Sequence, residues 1–440
     1  MRFNRLADWL DWQQRLNPRS IDLGLQRVAE VLQKLQLSAD FPCPVITLAG
    51  TNGKGSSAAL LESILSESGV KVGCYTSPHI LAYNERIRLQ QQPVSEQLLC
   101  QAFDAIDQAR GSRPLTYFEF GTLAALLIFV QQEVDVAVLE VGLGGRLDAV
   151  NVVDADVAVI TSIDIDHVDW LGADRESIAR EKAGVMRAAR PAIIAFDDPP
   201  ASLLQHADAL GVKLIRKGID YQFGSLTSGG WQLQSASIKL QQLPVPALQG
   251  EFQLQNAAAA ILAIEALREK AGQSLDGVTP QTIAQGLQRV QLAGRFQQLV
   301  QQPAVWVDVA HNRQSAQVLA QLLQSTASRS AKTIAVVAML ADKAIDEVLQ
   351  MLQPVVDSWC TAGLDVARGL PAKNMAQAVR ELHAGVRLSA CETVAEACAL
   401  ALEQAAANDC IIVFGSFYTV AEATAFFTTE HDESAQGSDD

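Results

Sequence analysis

Apolar positions along the chain fall into two alternating textures. Leu25, Val28, Ala29 and Leu32 recur at helical spacing within the first forty residues. Residues 45–49 form a short unbroken apolar run that enters a glycine-rich stretch at 50–55. Residues 57–68, carrying Leu60, Leu61, Ile64 and Leu65, read as an amphipathic helix stopped by Gly69, and 72–75 as a second strand. Strand, loop, helix, strand is a βαβ unit and predicts a parallel sheet. Residues 134–141, 157–162 and 193–196 are apolar and rich in Val and Ile, as strands buried on both faces are. Between 213 and 250 the texture becomes short, alternating and glycine-punctuated, which predicts a small antiparallel insertion. Residues 256–271 are an alanine-rich helix.

Around 291–302 the pattern resets. Residues 305–309 begin a second strand–helix series, continued at 333–338 and 409–414, and about 140 residues suffice for a separate core. The predicted organisation is a first domain over 1–290, a linker over 291–302, a smaller Rossmann-like α/β domain over 303–427 and a solvated acidic tail over 428–440. The 440 residues carry 49 acidic and 34 basic side chains, a formal charge of −15. That balance argues against a nucleic-acid binder, which needs a clustered basic surface. Seven cysteines lie scattered with no CxxC pair, which fits neither a zinc site nor a disulfide framework and suggests a reducing compartment. The run 123–130 is too short for a bilayer and residues 1–11 do not read as a signal peptide, so a cytoplasmic protein is expected.

The strongest chemical signal is Gly50-Thr51-Asn52-Gly53-Lys54-Gly55-Ser56, between a predicted strand and a predicted helix. Glycines let backbone N–H groups turn toward an anion, and the helix adds its positive end. Lys54 supplies a mobile charge, and Ser56 or Ser57 a hydroxyl for Mg²⁺. The loop departs from the Walker A pattern: Leu48 stands where its first glycine would, and Gly55 separates the lysine from the hydroxyl. The plain alternative is a tight turn with a solvated lysine. Glu140 ends a hydrophobic strand, where a carboxylate must be paired or metal-bound; it holds either Mg²⁺ or Arg146. His167, beyond the strand at 157–162, is either structural or a ligand. Lys182 reads from composition as a surface lysine on a helix. No nucleophile with its base is evident, and phosphoryl transfer needs none. The residues alone thus predict a Mg-ATP enzyme and leave the acceptor open.

Several stretches together resemble the folylpolyglutamate synthase family of the Mur ligase superfamily: 21–25, 50–56, 76–79, 116–119, 139–148, 166–167, 180–184, 294–296 and 308–312, in the family's order. The resemblance implies a Mur-ligase-like P-loop domain with a mainly parallel sheet and a Rossmann-like second domain. It implies that ATP phosphorylates the carboxylate of dihydropteroate or of a folate's glutamate, and that L-glutamate attacks the acyl phosphate. The alternatives are polyglutamylation alone or a cell-wall ligase of the same superfamily. By this resemblance Thr51, Asn52, Gly53, Lys54, Gly55, Ser56, Asn256, Arg295 and Asp308 would hold ATP. Ser56, Ser77, Glu140, His167 and a carbamylated Lys182 would hold Mg²⁺, with room for a monovalent cation such as K⁺. Asp22, Leu23, Gly24, Leu25, Thr116, Tyr117, Phe118, Glu119, Leu147, Asp148 and Ala149 would contact the pterin substrate, dihydropteroate or tetrahydrofolate. His311 and Ser416 would serve the glutamate end; Lys54, Lys182, His167 and His311 would be catalytic. Arg313 and Ala293 stand in loops where the family often has proline. A monomer without nucleic-acid or membrane partners is expected.

Overall fold

The computed structural model describes residues 1–19, 21–326, 332–382 and 385–436, the last helix by its backbone alone beyond residue 428. Two compact units emerge, one of Met1–Ala247 with Glu251–Gln291, the other of Leu248–Gly250 with the chain from Leu292 onward.

In the first unit, β1 (Val45–Ala49), β2 (Val72–Tyr75), β3 (Ile87–Leu89), β4 (Gln92–Pro93), β5 (Val136–Glu140), β6 (Val157–Ile160), β7 (Pro191–Ile194) and β8 (Lys213–Arg216) form one sheet. Among the described residues its order is β4-β3-β2-β5-β1-β6-β7-β8. From β2 to β8 neighbouring strands run parallel, while β3 and β4 turn back as an antiparallel edge. Every residue of β1, β2, β5 and β6 is buried, as Val- and Ile-rich central strands of a covered parallel sheet must be. The helix Lys54–Glu67 buries Leu60, Leu61, Ile64 and Leu65, each contributing about 1.5–3 kcal/mol. Its end is fixed by Gly69 at φ +78°, where the N–H groups of Gly69 and Val70 bond to Ser66 and Leu65 carbonyls. This is a Schellman stop, and only glycine enters that conformation without strain.

The predicted insertion differs at its start. Residues 213–216 are β8, the parallel edge strand of the main sheet; only β9 (Tyr221–Ser225), β10 (Trp231–Ser235) and β11 (Lys239–Leu243) form the antiparallel sheet. The exposed lysine at the start of β8 and its half-buried neighbours gave it an edge texture. The alanine-rich helix is longer than predicted, Phe252–Ala271.

The second unit holds β12 (Gln297–Val300), β13 (Ala304–Asp308), β14 (Thr333–Val337), β15 (Ser358–Thr361), β16 (Arg387–Ala390) and β17 (Cys410–Phe414). Among the described residues their order is β12-β13-β17-β14-β15-β16. All pairs are parallel except β12 with β13. The expected linker therefore contains an edge strand, paired on one side only with β13, and its half-polar Gln297 and Gln298 gave it the texture of a loop. The expected tail continues as helix Phe417–Gln436; residues 437–440 lie outside the described residues. No helix among the described residues is long and apolar enough to cross a membrane.

Candidate active site

The glycine loop leaves the carboxyl end of β1, where open α/β sheets bind ligands. It is pinned from β6's following residues rather than from within. Thr51 N–H donates to the Ser162 carbonyl at 3.0 Å, and Asn52 N–H to Ser162 Oγ at 2.8 Å. Thr161 Oγ1 donates to the Asn52 carbonyl at 2.6 Å, and Thr51 Oγ1 donates to the Asp164 carbonyl at 3.0 Å. A Cβ on Gly50 would collide with Thr161 Oγ1. Gly53 has φ +89° and caps the helix; a Cβ there would lie 2.8 Å from Asn256 Oδ1. Lys54 folds back, its Nζ donating to the carbonyls of Gly50 (2.8 Å) and Thr51 (3.2 Å). The lysine is thus a half-buried member of the loop. Behind it, Gln253 Nε2 approaches the buried Ser56 Oγ at 3.5 Å, and Asn256 Nδ2 donates to Gln253 Oε1 at 2.8 Å.

Glu140 ends β5 almost fully buried, and Ser77 N–H donates to its Oε2 at 3.1 Å. Arg146, the alternative partner, instead pairs with Glu181 at 2.8 Å. Lys182 is not a surface lysine: it is 3% exposed on helix Arg175–Ala183. Burial, with Lys54 nearby, lowers its pKa to about 7, while Asp166 and Asp148 pull the other way. Asp148 is buried and raised to about 6, despite N–H bonds from Leu143 (2.8 Å) and Val150 (2.9 Å). Lys54, Lys182, Asp148 and Asp166 are therefore electrostatic neighbours. His167 caps the short helix Val168–Leu171, half-exposed, with Nε2 3.8 Å from Asp166 Oδ2. Among the described residues no three of His, Cys, Asp and Glu converge as a metal cluster; a serine and a lysine complete the candidate donors.

The residues expected at the pterin substrate split by role. Thr116 and Glu119 form a capping box on helix Tyr117–Gln131, Glu119 N–H to Thr116 Oγ1 at 3.2 Å and Thr116 N–H to Glu119 Oε2 at 2.7 Å. The T-x-x-E spacing announces such a box and was the readable signal here. Arg27 joins Asp22 (2.9 Å) to Glu119 (3.0 Å), and Gly24 N–H donates to the Leu147 carbonyl at 3.2 Å, so 22–25, 116–119 and 147–149 do meet. Leu23 and Leu25 are half-buried and Ala149 opens the turn after Asp148. Phe118 lies against Gly142, where a Cβ would be 2.6 Å from its Cζ, and 5.9 Å from the Tyr75 ring.

In the second unit, buried Asp308 accepts from Phe296 N–H and Ala310 N–H, each at 2.8 Å, and burial raises its pKa against the pull of Arg295. Arg295 lies 5.3 Å over the Phe417 ring. His311 Nδ1 donates to the Val309 carbonyl at 2.8 Å, which leaves Nε2 as the basic nitrogen of the neutral ring. Arg313 is the first residue of helix Arg313–Thr326 rather than a loop residue; proline's usual place at that position is natural. Ser416 is buried; its Oγ accepts Thr419 N–H at 3.0 Å and donates to Thr419 Oγ1 at 2.7 Å, whose own proton goes to the Ala338 carbonyl at 2.6 Å. Its hydroxyl is committed to capping the last helix, a use that its position before Phe417 did not reveal.

Two family descriptions match: "Mur ligase middle domain" over residues 48–264 and "Mur ligase, glutamate ligase domain" over 294–417. An Escherichia coli K12 relative named dihydrofolate synthase/folylpolyglutamate synthase is 43% identical over 416 residues, 94% of each chain. The chain belongs to the dihydrofolate synthase/folylpolyglutamate synthase family. It is an ATP-dependent ligase of the Mur type. Solved members of the family share its fold. Escherichia coli FolC in complex with DHPP and ADP superposes with TM-score 0.90 at 41% identity, covering 97% of this chain and 99% of that one. The Yersinia pestis bifunctional enzyme complexed with AMPPNP and Mn ion superposes with TM-score 0.86 at 43% identity, covering 96% and 98%.

Proposed function

We propose that this protein joins L-glutamate to dihydropteroate and to the terminal glutamate of folates. The observation that carries the reading is the loop 50–56, rigidly pinned to 161–164 with Lys54 in its bowl, beside the buried Glu140 and Lys182. Thr51 to Ser56 and Asn256 hold ATP. A carboxylate oxygen of the acceptor attacks the γ-phosphorus, the bond to the β-phosphate oxygen breaks, and ADP departs. Lys54 neutralises the transferring group, exchanging its bonds to the Gly50 and Thr51 carbonyls for phosphate oxygens. The amine of glutamate then attacks the acyl carbon and sheds a proton. The tetrahedral intermediate collapses as the C–O bond to phosphate breaks.

The donor set fits a hard divalent cation: a buried carboxylate at Glu140, the hydroxyls of Ser56 and Ser77, and His167. Lys182 joins it only as a carbamate. Two cations, Lys54 and a buried Lys182, repel each other; a neutral Lys182 amine adding CO₂ with loss of a proton becomes an anion there, which removes the conflict. Mg²⁺ supplies charge neutralisation and orientation of the phosphates when bound. Phe118 or Tyr117 offers a face for the flat pterin ring. His311, with Nε2 basic, serves the glutamate end. The reading places the enzyme in the cytoplasm as a monomer, which sedimentation would test.

The discriminating experiment measures ADP release by purified protein with Mg-ATP. Release requiring both dihydropteroate and glutamate, and again tetrahydrofolate and glutamate, is expected. Release supported by neither acceptor would overturn the reading.

A further inference from the structure

Arg86 is 9% exposed, and its charge has no carboxylate within ion-pair distance among the described residues. Arg110, similarly buried, has Asp107 at 2.6 Å, and its neighbour in sequence Arg88 has Glu62 at 2.8 Å. A desolvated cation without an anion is costly, so the exception requires a reason. Glu85, adjacent in sequence, cannot supply the anion: its carboxylate accepts N–H groups of Ile80, Leu81 and Ala82 at 2.7–2.9 Å and clips that loop.

The guanidinium is nonetheless held firmly. Its Nε donates to His79 Nδ1 at 2.8 Å, which makes His79 an acceptor with its proton on Nε2. Tyr83 and Tyr117 flank it, their ring centroids 5.1 and 5.4 Å from Cζ. Both Nη groups, the fork that suits a carboxylate, are left for another acceptor. The backbone of Arg86 also joins the segment that carries Ser77. Its carbonyl accepts Thr76 N–H at 2.9 Å, and the next residue, Ser77, donates to Glu140.

The two acceptors differ in one charge. Dihydropteroate ends in a single carboxylate, the one that is phosphorylated. A folate ends in glutamate, with two carboxylates, of which one reacts and the other stays ionised. We propose that Arg86 receives that second, non-reacting carboxylate and is a specificity residue for the folate acceptor. The proposal rests on the ligase reading above. His79, Tyr83 and Tyr117 pre-set the fork, so that little side-chain freedom is lost on binding.

The test compares wild type with R86Q and R86K using both acceptors at saturating ATP. The ratio of tetrahydrofolate to dihydropteroate kcat/KM is expected to fall about 10–100-fold in R86Q, the worth of a charged hydrogen bond or two, and less in R86K. On wild type, tetrahydrofolate amidated at its non-reacting glutamate carboxylate should lose a similar factor, and R86Q should lose nothing further on that compound. An unchanged ratio would overturn the proposal. So would indifference of wild type to the amidation, an assay that stands even if R86Q does not fold. A rise in the KM for glutamate with both acceptors would also overturn it, since that assigns the arginine to the incoming amino acid. Wild-type ADP release with dihydropteroate plus glutamate separates the two levels. Where it occurs and the ratio is unmoved, only the role of Arg86 fails.

Discussion

The loop after β1 and the loop after β13 occupy equivalent places, each at the carboxyl end of a parallel strand, and they are built on opposite principles. The first is fastened by neutral groups: Thr51, Thr161 and Ser162 hydroxyls with backbone carbonyls. Its one charge, on Lys54, folds over the loop's own carbonyls. The second is fastened by a charge, since both oxygens of Asp308 take backbone N–H groups. On the proposed reading the lysine serves catalysis, whereas the carboxylate ties two turns together and serves the fold as well.

The contrast is sharpest at Lys54. Lys54→Met should lower kcat by about 10²–10³-fold, as removal of one preorganised charge contact does, while thermal unfolding shifts by no more than about 2 °C. A large loss of melting temperature would show that the lysine is structural and erase the distinction. Asp308→Ala should behave conversely. Two buried N–H groups lose their acceptor, and stability should fall by about 3 kcal/mol in a denaturant titration. Full stability would break the comparison from the other side. Gly53→Ala tests the first loop's backbone. The φ of +89° disfavours a side chain by about 1–2 kcal/mol, and the contact with Asn256 adds to it. ATP affinity should drop with modest destabilisation; an unaltered calorimetric Kd would contradict the geometry.

A further effect concerns pH. Asp148 is raised from 3.8 to about 6 by burial. A raised pKa means that the folded state binds the proton more tightly, so this group's stabilising contribution is present below pH 4 and lost as pH rises through 6. At 1.36 kcal/mol per pKa unit, the full swing is at most about 3 kcal/mol. Asp148→Asn should flatten that segment of the stability profile, and an identical profile in the mutant would deny the shift.

How much of this was readable depended on whether local pattern or tertiary setting decides. β1 and β2 could be bounded to the residue from their apolar runs, and the loop from its glycines and lysine. β8 and β12 could not, since half-polar edge strands carry the texture of loops. Lys182 was opaque, because Arg180-Glu181-Lys182 is polar in composition and only the packing of its helix buries the third residue. Ser416 and Glu119 carry a hydroxyl and a carboxylate that suit ligands, yet both cap helices. Arg86 drew no notice from sequence, because the absence of a counter-ion is a fact about space.

The central claim is that ATP consumed at the loop 50–56 turns an inert carboxylate into an acyl phosphate before glutamate attacks. Dihydropteroate labelled with ¹⁸O in its carboxylate tests this directly by mass spectrometry of the released phosphate. One labelled oxygen should appear in each phosphate formed, because the bond made to the γ-phosphorus survives when the acyl carbon is attacked. Phosphate free of label, formed in step with the amide product, would contradict the account.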